Sequence, residues 1–219
     1  GYSVRYTNEK EFTRSIRLGK QTLSKFVNAV TISKDGTRWI GSRFKGLLAY
    51  TTQLDLKWHT LENCTLMQRL NSKNVSALFA DSSGRLWINI DDRIACCNTR
   101  QQTITDYALL PERFSVNRFC ENARHDVWVA TTSGLLAYDG MRLRGTCFEN
   151  CDVQDIIRLD DTTMLAAVFR RGLFAIDSRR LEQRPFLEAP DSLTATALRH
   201  ATCLLKGRKG RLWIGTRSK

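Results

Sequence analysis

The sequence predicts an all-β chain: a β-propeller of about five four-stranded blade repeats, closed as a five-bladed ring or forming an arc of a larger, seven-bladed one. Three observations predict it. A tryptophan-bearing block recurs along the chain at a nearly fixed interval. The apolar runs between turns have strand length, not helix length. The composition, 42% hydrophobic and 9% aromatic over 219 residues, is that of a chain that buries a core.

The recurring block reads Lys34-Asp-Gly-Thr-Arg-Trp39-Ile-Gly, Asp81-Ser-Ser-Gly-Arg-Leu-Trp87-Ile, Arg124-His-Asp-Val-Trp128-Val and Arg208-Lys-Gly-Arg-Leu-Trp213-Ile-Gly. A fifth copy, Asp160-Asp-Thr-Thr-Met-Leu165-Ala-Ala, carries Leu165 in the tryptophan position. The anchors at 39, 87, 128, 165 and 213 lie 48, 41, 37 and 48 residues apart. A second block follows the first four anchors: Gly46-Leu-Leu-Ala-Tyr50, Arg93-Ile-Ala-Cys-Cys97, Gly134-Leu-Leu-Ala-Tyr-Asp139 and Gly172-Leu-Phe-Ala-Ile-Asp177.

Each repeat supplies four strands. A short apolar run such as Val30-Thr-Ile or Leu78-Phe-Ala comes first, and a tight polar turn leads from it into the tryptophan strand as a hairpin. A further turn leads into the Gly-Leu strand, and a more polar strand such as Asp55-Leu-Lys-Trp-His-Thr60 ends the unit. One such sheet cannot bury both faces alone, so copies must stack, with the tryptophans packed between them. The repeats are placed at 19–66, 67–110, 111–150 and 151–193, with the inner strands of a fifth at 194–219. Gly1-Tyr-Ser-Val-Arg-Tyr6 resembles a Gly-Leu block, so residues 1–18 read as the outer strands of a blade. The chain starts and stops in mid-blade, and the missing initiator Met favours a piece of a longer protein, hence the arc.

Composition excludes other classes. Disorder is incompatible with so many aromatic and branched apolar residues, and 13 Gly and three Pro without a period exclude collagen and linker sequence. No apolar stretch approaches the roughly 18 residues of a membrane helix. Seven cysteines, at 64, 96, 97, 120, 147, 151 and 203, lack a zinc spacing and read mostly as small buried hydrophobes. No cofactor and no metal site is expected.

The pattern of an apolar run, then Asp-x-x-Gly-x-Leu-Trp-Ile-Gly-Thr, then Gly-Leu-x-x-Tyr-Asp resembles the two-component regulator propeller repeat, best at Asp81 to Ile88, Gly134 to Asp139 and Gly210 to Thr216. Two positions depart from it: Leu165-Ala166 replaces Trp-Ile, and Arg93 stands where the turn glycine belongs, which implies an altered turn. The resemblance implies the periplasmic sensor region of a hybrid two-component histidine kinase, with oligosaccharides as the usual inducers. It implies as partners the rest of the same receptor chain and a homodimer formed through the full-length receptor. The Gly-His and Trp-Asp signatures of WD repeats are missing.

Two sets of residues are candidates for ligand contact. Counting back eleven from each anchor gives Asn28, Ser76, Asn117, Gln154 and Thr202, all uncharged and hydrogen-bonding, at the start of the innermost strand. Such groups match sugar hydroxyls, and equally serve to solvate a channel or tie down strand starts. The turn after the tryptophan strand, at the same rim, carries Arg43 and Lys45, Asp91, Asp92 and Arg93, Thr132 and Ser133, Arg170 and Arg171, and Arg217. Arginine occupies it in four of five repeats, and guanidinium forks suit an acidic, uronate- or sulfate-bearing glycan.

A glycosidase would need two facing carboxylates about 5–9.5 Å apart. The adjacent acid pairs are Asp91/Asp92 and Asp160/Asp161, and the latter falls in the opposite turn, although Asp152 and Asp155 flank Gln154. The His/Glu set of the propeller lyase acting on streptogramin antibiotics is not apparent. A net charge of +12 raises nucleic-acid binding, yet the basic residues are spread over all repeats, with short clusters at Arg179-Arg180 and Lys206 to Arg211. The expectation is a non-enzymatic, ligand-sensing propeller segment that binds an oligosaccharide, neither contacting nucleic acid nor inserting into a membrane.

Overall fold

A computed structural model of the chain describes residues 17–18, 21–22, 27–51, 56–187 and 191–217. The Gly1–Tyr6 block, Phe12 to Ile16 of the expected outer strand, and Asp55 lie outside the described residues. Strands β1 (Arg17–Leu18) and β2 (Gln21–Thr22) form a two-stranded antiparallel ladder.

The described sheets are antiparallel and follow chain order. The first holds β3 (Val27–Ile32), β4 (Arg38–Ser42), β5 (Gly46–Tyr50) and β6 (Leu56–His59). A short helix, α1 (Thr65–Leu70), connects it to β7 (Val75–Ala80), β8 (Arg85–Ile90), β9 (Arg93–Arg100) and β10 (Thr103–Arg113) of the second. The third sheet is β11 (Val116–Glu121), β12 (Val127–Thr131), β13 (Gly134–Asp139) and β14 (Arg142–Cys147). The fourth is β15 (Val153–Arg158), β16 (Thr163–Val168), β17 (Gly172–Asp177) and β18 (Gln183–Pro185). Helix α2 (Ser192–Arg199) then leads to a pair, β19 (Ala201–Lys206) and β20 (Leu212–Thr216). The chain divides at Arg113/Phe114 into two compact units.

This is the predicted architecture of short hairpin-linked strands, four to a sheet, with the anchors on each second strand. The helices are additions that strand periodicity did not foreshadow. Both fall in connections between sheets. In α1, Leu66 and Met67 are buried in the core of the first unit, and Asn71 ends the helix in left-handed conformation at φ +50°. In α2, the Asp191 side chain accepts the Thr194 N–H at 2.7 Å as an N-cap.

Trp39, Trp87, Trp128 and Leu165 are fully buried, as a stacking core requires. Trp213 departs from the expectation and is 61% exposed. It stands on the two-stranded fifth sheet, and among the described residues of its unit no further sheet follows to cover it. In the first unit, Trp39 and Leu47 of the first sheet share one apolar cluster with Val75, Leu86 and Ile88 of the second. In the second unit, Trp128 and Leu135 of the third sheet pack with Val153, Ile156 and Met164 of the fourth. The glycine of the Ile-Gly dipeptide has a steric cause. A Cβ at Gly41 would lie 2.5 Å from Val75 Cγ1 on the neighbouring sheet.

The residue six before the tryptophan caps the buried indole in the first two sheets. Ser33 accepts the Trp39 indole N–H at 3.1 Å, and Asp81 accepts that of Trp87 at 2.9 Å. Asn122 occupies the place in the third sheet, but its amide turns to Asp126 Oδ2, and the Trp128 N–H is buried without a hydrogen-bond partner. All seven cysteines are free. Four are buried, Cys120 and Cys151 are half-buried, and Cys203 is exposed. Burial pushes the Cys96 thiol up to about 12 and that of Cys147 to about 11.

Candidate functional site

The five uncharged residues counted back from the anchors share one geometry. Asn28, Ser76, Asn117, Gln154 and Thr202 are each the second residue of an inner strand. Each is also skipped in the ladder to the neighbouring strand, where the register shifts between Val27 and Ala29, Val75 and Ala77, Val116 and Arg118, Val153 and Asp155, and Ala201 and Cys203. The sequence set is therefore a set of β-bulges, which re-aim a side chain at a sheet rim.

Those side chains are largely engaged in holding strands. Asn28 donates to the Val75 carbonyl at 3.0 Å, and Asn117 to the Val153 carbonyl at 2.8 Å, each tying its bulge to the first residue of the next inner strand. Asn117 and Gln154 both donate to Asp152, at 2.9 and 2.6 Å. Ser76 donates to Asn89 Oδ1 at 2.6 Å, and Thr202 to the Gly215 carbonyl at 3.3 Å.

Of the flanking acids, Asp152 is occupied by these amides. Asp155 is buried, accepts the Leu204 N–H of the fifth sheet at 2.7 Å, and lies 3.7 Å from Arg118. Burial pushes its carboxyl up, against the opposing pull of the Leu204 N–H and of Arg118. Asp160 accepts the backbone N–H groups of Thr162 and Thr163, which holds its carboxyl below the usual range despite some burial. It is a turn-former.

The turns after the tryptophan strands lie at the same sheet edge as the bulges, since Val27 pairs with Ser42 and Val153 with Val168. In the first sheet Arg43 and Lys45 are exposed, with the Arg43 guanidinium 5.4 Å from the centre of the Phe44 ring. The second sheet has the altered turn. Arg93 already belongs to β9, opposite Ile90, and the left-handed conformation moves to Asp91 at φ +51°. Asp91 exchanges bonds with Asn74, and Asp92 lies 3.7 Å from Arg113. A pocket of about 320 Å³ there is lined by Arg69, Asp91, Asp92, Arg93 and Arg113 among others, a mixture of signs. The third sheet presents neutral Thr132 and Ser133.

The fourth and fifth sheets concentrate positive charge. Phe169, Arg170, Arg199, His200 and Arg217 line a pocket of about 530 Å³. Arg170 and Arg217 belong to the predicted set, whereas Phe169, Arg199 and His200 do not. Arg199 ends α2 and His200 caps it, two residues before the Thr202 bulge. Arg171 points elsewhere: its guanidinium donates to Cys151 Sγ at 3.3 Å and lies 5.8 and 5.6 Å from the centres of the Phe148 and Phe174 rings. Arg199 and His200 had a sequence signal, since they stand just before an inner strand start, at the edge that also holds the turn after the tryptophan strand; Phe169 had none.

No protein-family model matches the chain, and no curated protein does. Solved structures share its fold. The extracellular domain of the one component system BT4673 from B. thetaiotaomicron is 14% identical with a TM-score of 0.67, over 90% of this chain and 27% of that one. That of the hybrid two component system BT3049 from the same organism is 15% identical with a TM-score of 0.61, over 87% and 27%. PorZ, a surface component of the type-IX secretion system of Porphyromonas gingivalis, is 18% identical with a TM-score of 0.63, over 97% and 33%. The dehydrogenase NirN shares the fold too, at a TM-score of 0.58. The chain spans about a quarter of the length of the two B. thetaiotaomicron domains. Among the described residues no helix is long and apolar enough to cross a membrane.

Proposed function

We propose that this chain is a ligand-sensing propeller segment of the periplasmic part of a hybrid two-component receptor, and that its ligand is an oligosaccharide. The observation that carries the reading is its likeness, over 87% of the chain, to extracellular domains of such systems, BT3049 and BT4673 from B. thetaiotaomicron. The tandem sheets and the repeat motif, with its resemblance to the two-component regulator propeller, point the same way independently of those structures.

The reading assigns no catalysis to this segment. NirN shows that an enzyme shares the fold, so function has to be argued from the site. Of the acids at the rim, Asp152 holds two amides, Asp155 is buried against Leu204, Asp91 ties down a turn, and the exposed Asp92 lies 3.7 Å from Arg113. A general acid and base flanking a sugar would need carboxyls free to exchange protons with it.

Ligand binding would act by biasing the conformation or association of a larger receptor, in proportion to the ligand's differential affinity for the two states. The test is calorimetry of the complete extracellular region, with this segment alone as control, against neutral and acidic oligosaccharides. Saturable binding of one sugar class, together with a membrane helix and kinase core encoded downstream, supports the reading. Turnover of a bound sugar, or flanking sequence without signalling parts, overturns it.

A further inference from the structure

We propose that the pocket formed by Phe169, Arg170, Arg199, His200 and Arg217 binds an anionic substituent, sulfate or carboxylate, carried by an oligosaccharide; this rests on the sensor reading and names the chemistry of its ligand.

Three separate segments converge on the pocket, and backbone hydrogen bonds fix them. The Arg170 N–H donates to the Arg199 carbonyl at 2.8 Å, joining the turn of the fourth sheet to the end of α2. The Arg217 N–H donates to the His200 carbonyl at 2.9 Å, joining the end of β20 to the same helix end. The side chains therefore start from a preorganised frame, which lowers the ordering cost of binding.

The frame itself does not require arginine. In the third sheet the Thr132 N–H makes the bond that corresponds to that of Arg217, to the Ser115 carbonyl, while the turn is joined to the next connection in the opposite direction, from the Asn150 N–H to the Ser133 carbonyl. Those residues are all uncharged. At the fourth and fifth sheets the same edge instead gathers three guanidinium groups, which repel one another. No carboxylate lines the pocket, and none of the three arginines has an ion-pair partner among the described residues. An unbalanced cluster of forked donors is complementary to an oxyanion.

The pocket also has an aromatic wall. The Phe169 ring meets the His200 ring edge-on at 5.8 Å, and the Arg170 guanidinium lies 5.3 Å from its centre. About 530 Å³ is within the range of small-ligand sites and holds a sugar ring beside its charged substituent. An apolar ring next to guanidinium groups suits a substituted sugar better than a bare ion.

The test titrates the 219-residue chain with a sulfated disaccharide, a uronate-containing disaccharide, their neutral counterpart and inorganic sulfate. The variants are Arg170→Asn, which tolerates the φ of +62° found there, Arg217→Gln and Arg199→Gln, with exposed Arg180→Gln as control. Unchanged thermal melts establish that the variants fold. The anionic sugars should bind and the neutral one should not. Each pocket variant should weaken binding about tenfold while the control does not, and raising NaCl from about 50 to about 500 mM should weaken it further. Equal binding of neutral and anionic sugars, unmoved by the variants, overturns this inference and leaves the oligosaccharide reading standing. Inorganic sulfate bound as tightly as the sulfated sugar overturns the sugar part and leaves an oxoanion pocket. Absence of binding by every probe overturns the pocket itself.

Discussion

Replacing Asp81 by asparagine tests whether the second sheet's hairpin depends on a carboxylate or only on the shape of its turn. Asp81 is 2% exposed and serves four donors. Its Oδ1 accepts the Ser83 and Arg85 N–H groups at 3.0 and 2.9 Å. Its Oδ2 accepts Arg85 Nε at 2.6 Å and the Trp87 indole at 2.9 Å. The third sheet shows what asparagine does in this position, because Asn122 Oδ1 accepts the Arg124 and Asp126 N–H groups, both at 2.9 Å, while its amide cannot accept the indole. Asp81→Asn should thus keep the turn and lose both Oδ2 bonds. Removing the acceptor of a fully buried indole costs about 1–3 kcal/mol. The Arg85 ion pair, with a partly exposed partner, adds about 1 kcal/mol or less. The expected loss is about 1–4 kcal/mol, or roughly 2–16 °C in melting temperature for a chain of this size. Urea titration followed by tryptophan fluorescence measures it. Asp81→Ala, which also strips the turn of its acceptor, should cost more. A shift under about 0.5 kcal/mol for Asp81→Asn, or equal losses in the two variants, refutes the reasoning.

Gly41→Ala should destabilise by about 1–3 kcal/mol, because the new Cβ meets the fully buried, β-branched Val75; pairing it with Val75→Ala should recover part of the loss in the same urea assay. Burial pushes the His59 imidazole below its usual range, so the unfolded chain takes up the proton first. Its contribution is intact above about pH 6.5 and is lost on acidification below that, at up to about 1.4 kcal/mol per pH unit. His59→Gln should flatten that part of a stability profile measured from about pH 7 to about pH 5. Asp155→Asn keeps an acceptor for the buried Leu204 N–H while removing a charge that burial disfavours, whereas Asp155→Ala leaves that N–H unpaired and should be about 1–3 kcal/mol less stable than the asparagine variant.

What could be read from the sequence is what repeats. The tryptophan anchors, the Gly-Leu blocks and the four-strand content were legible because stacking imposes the same packing problem on every copy, so residue type recurs with position. The helices were not legible. α1 and α2 occupy connections of different length that share no packing constraint, and six residues around Leu66 and Met67 look the same as an apolar strand. The burial of Trp213 was over-read for a related reason: its motif is as good as that of Trp39, but a motif records the hairpin and not the sheet that must cover it.

The candidate site divides along the same line. The bulge residues fall at a fixed count from the anchors, since a register shift recurs in each described sheet with an inner strand, and their side chains hydrogen-bond to neighbouring strands or to Asp152. The arginine pocket breaks the repeat. The backbone bond from Arg217 to His200 recurs beside the third sheet between Thr132 and Ser115, so nothing in the period requires Arg170, Arg199 and Arg217 to coincide. Repetition accounts for the scaffold, and a departure from it that costs electrostatic repulsion without serving the scaffold is where ligand chemistry should be sought. By the same reasoning, the altered turn at Asp91 is the weaker candidate, because its carboxylates and Arg113 already offset one another.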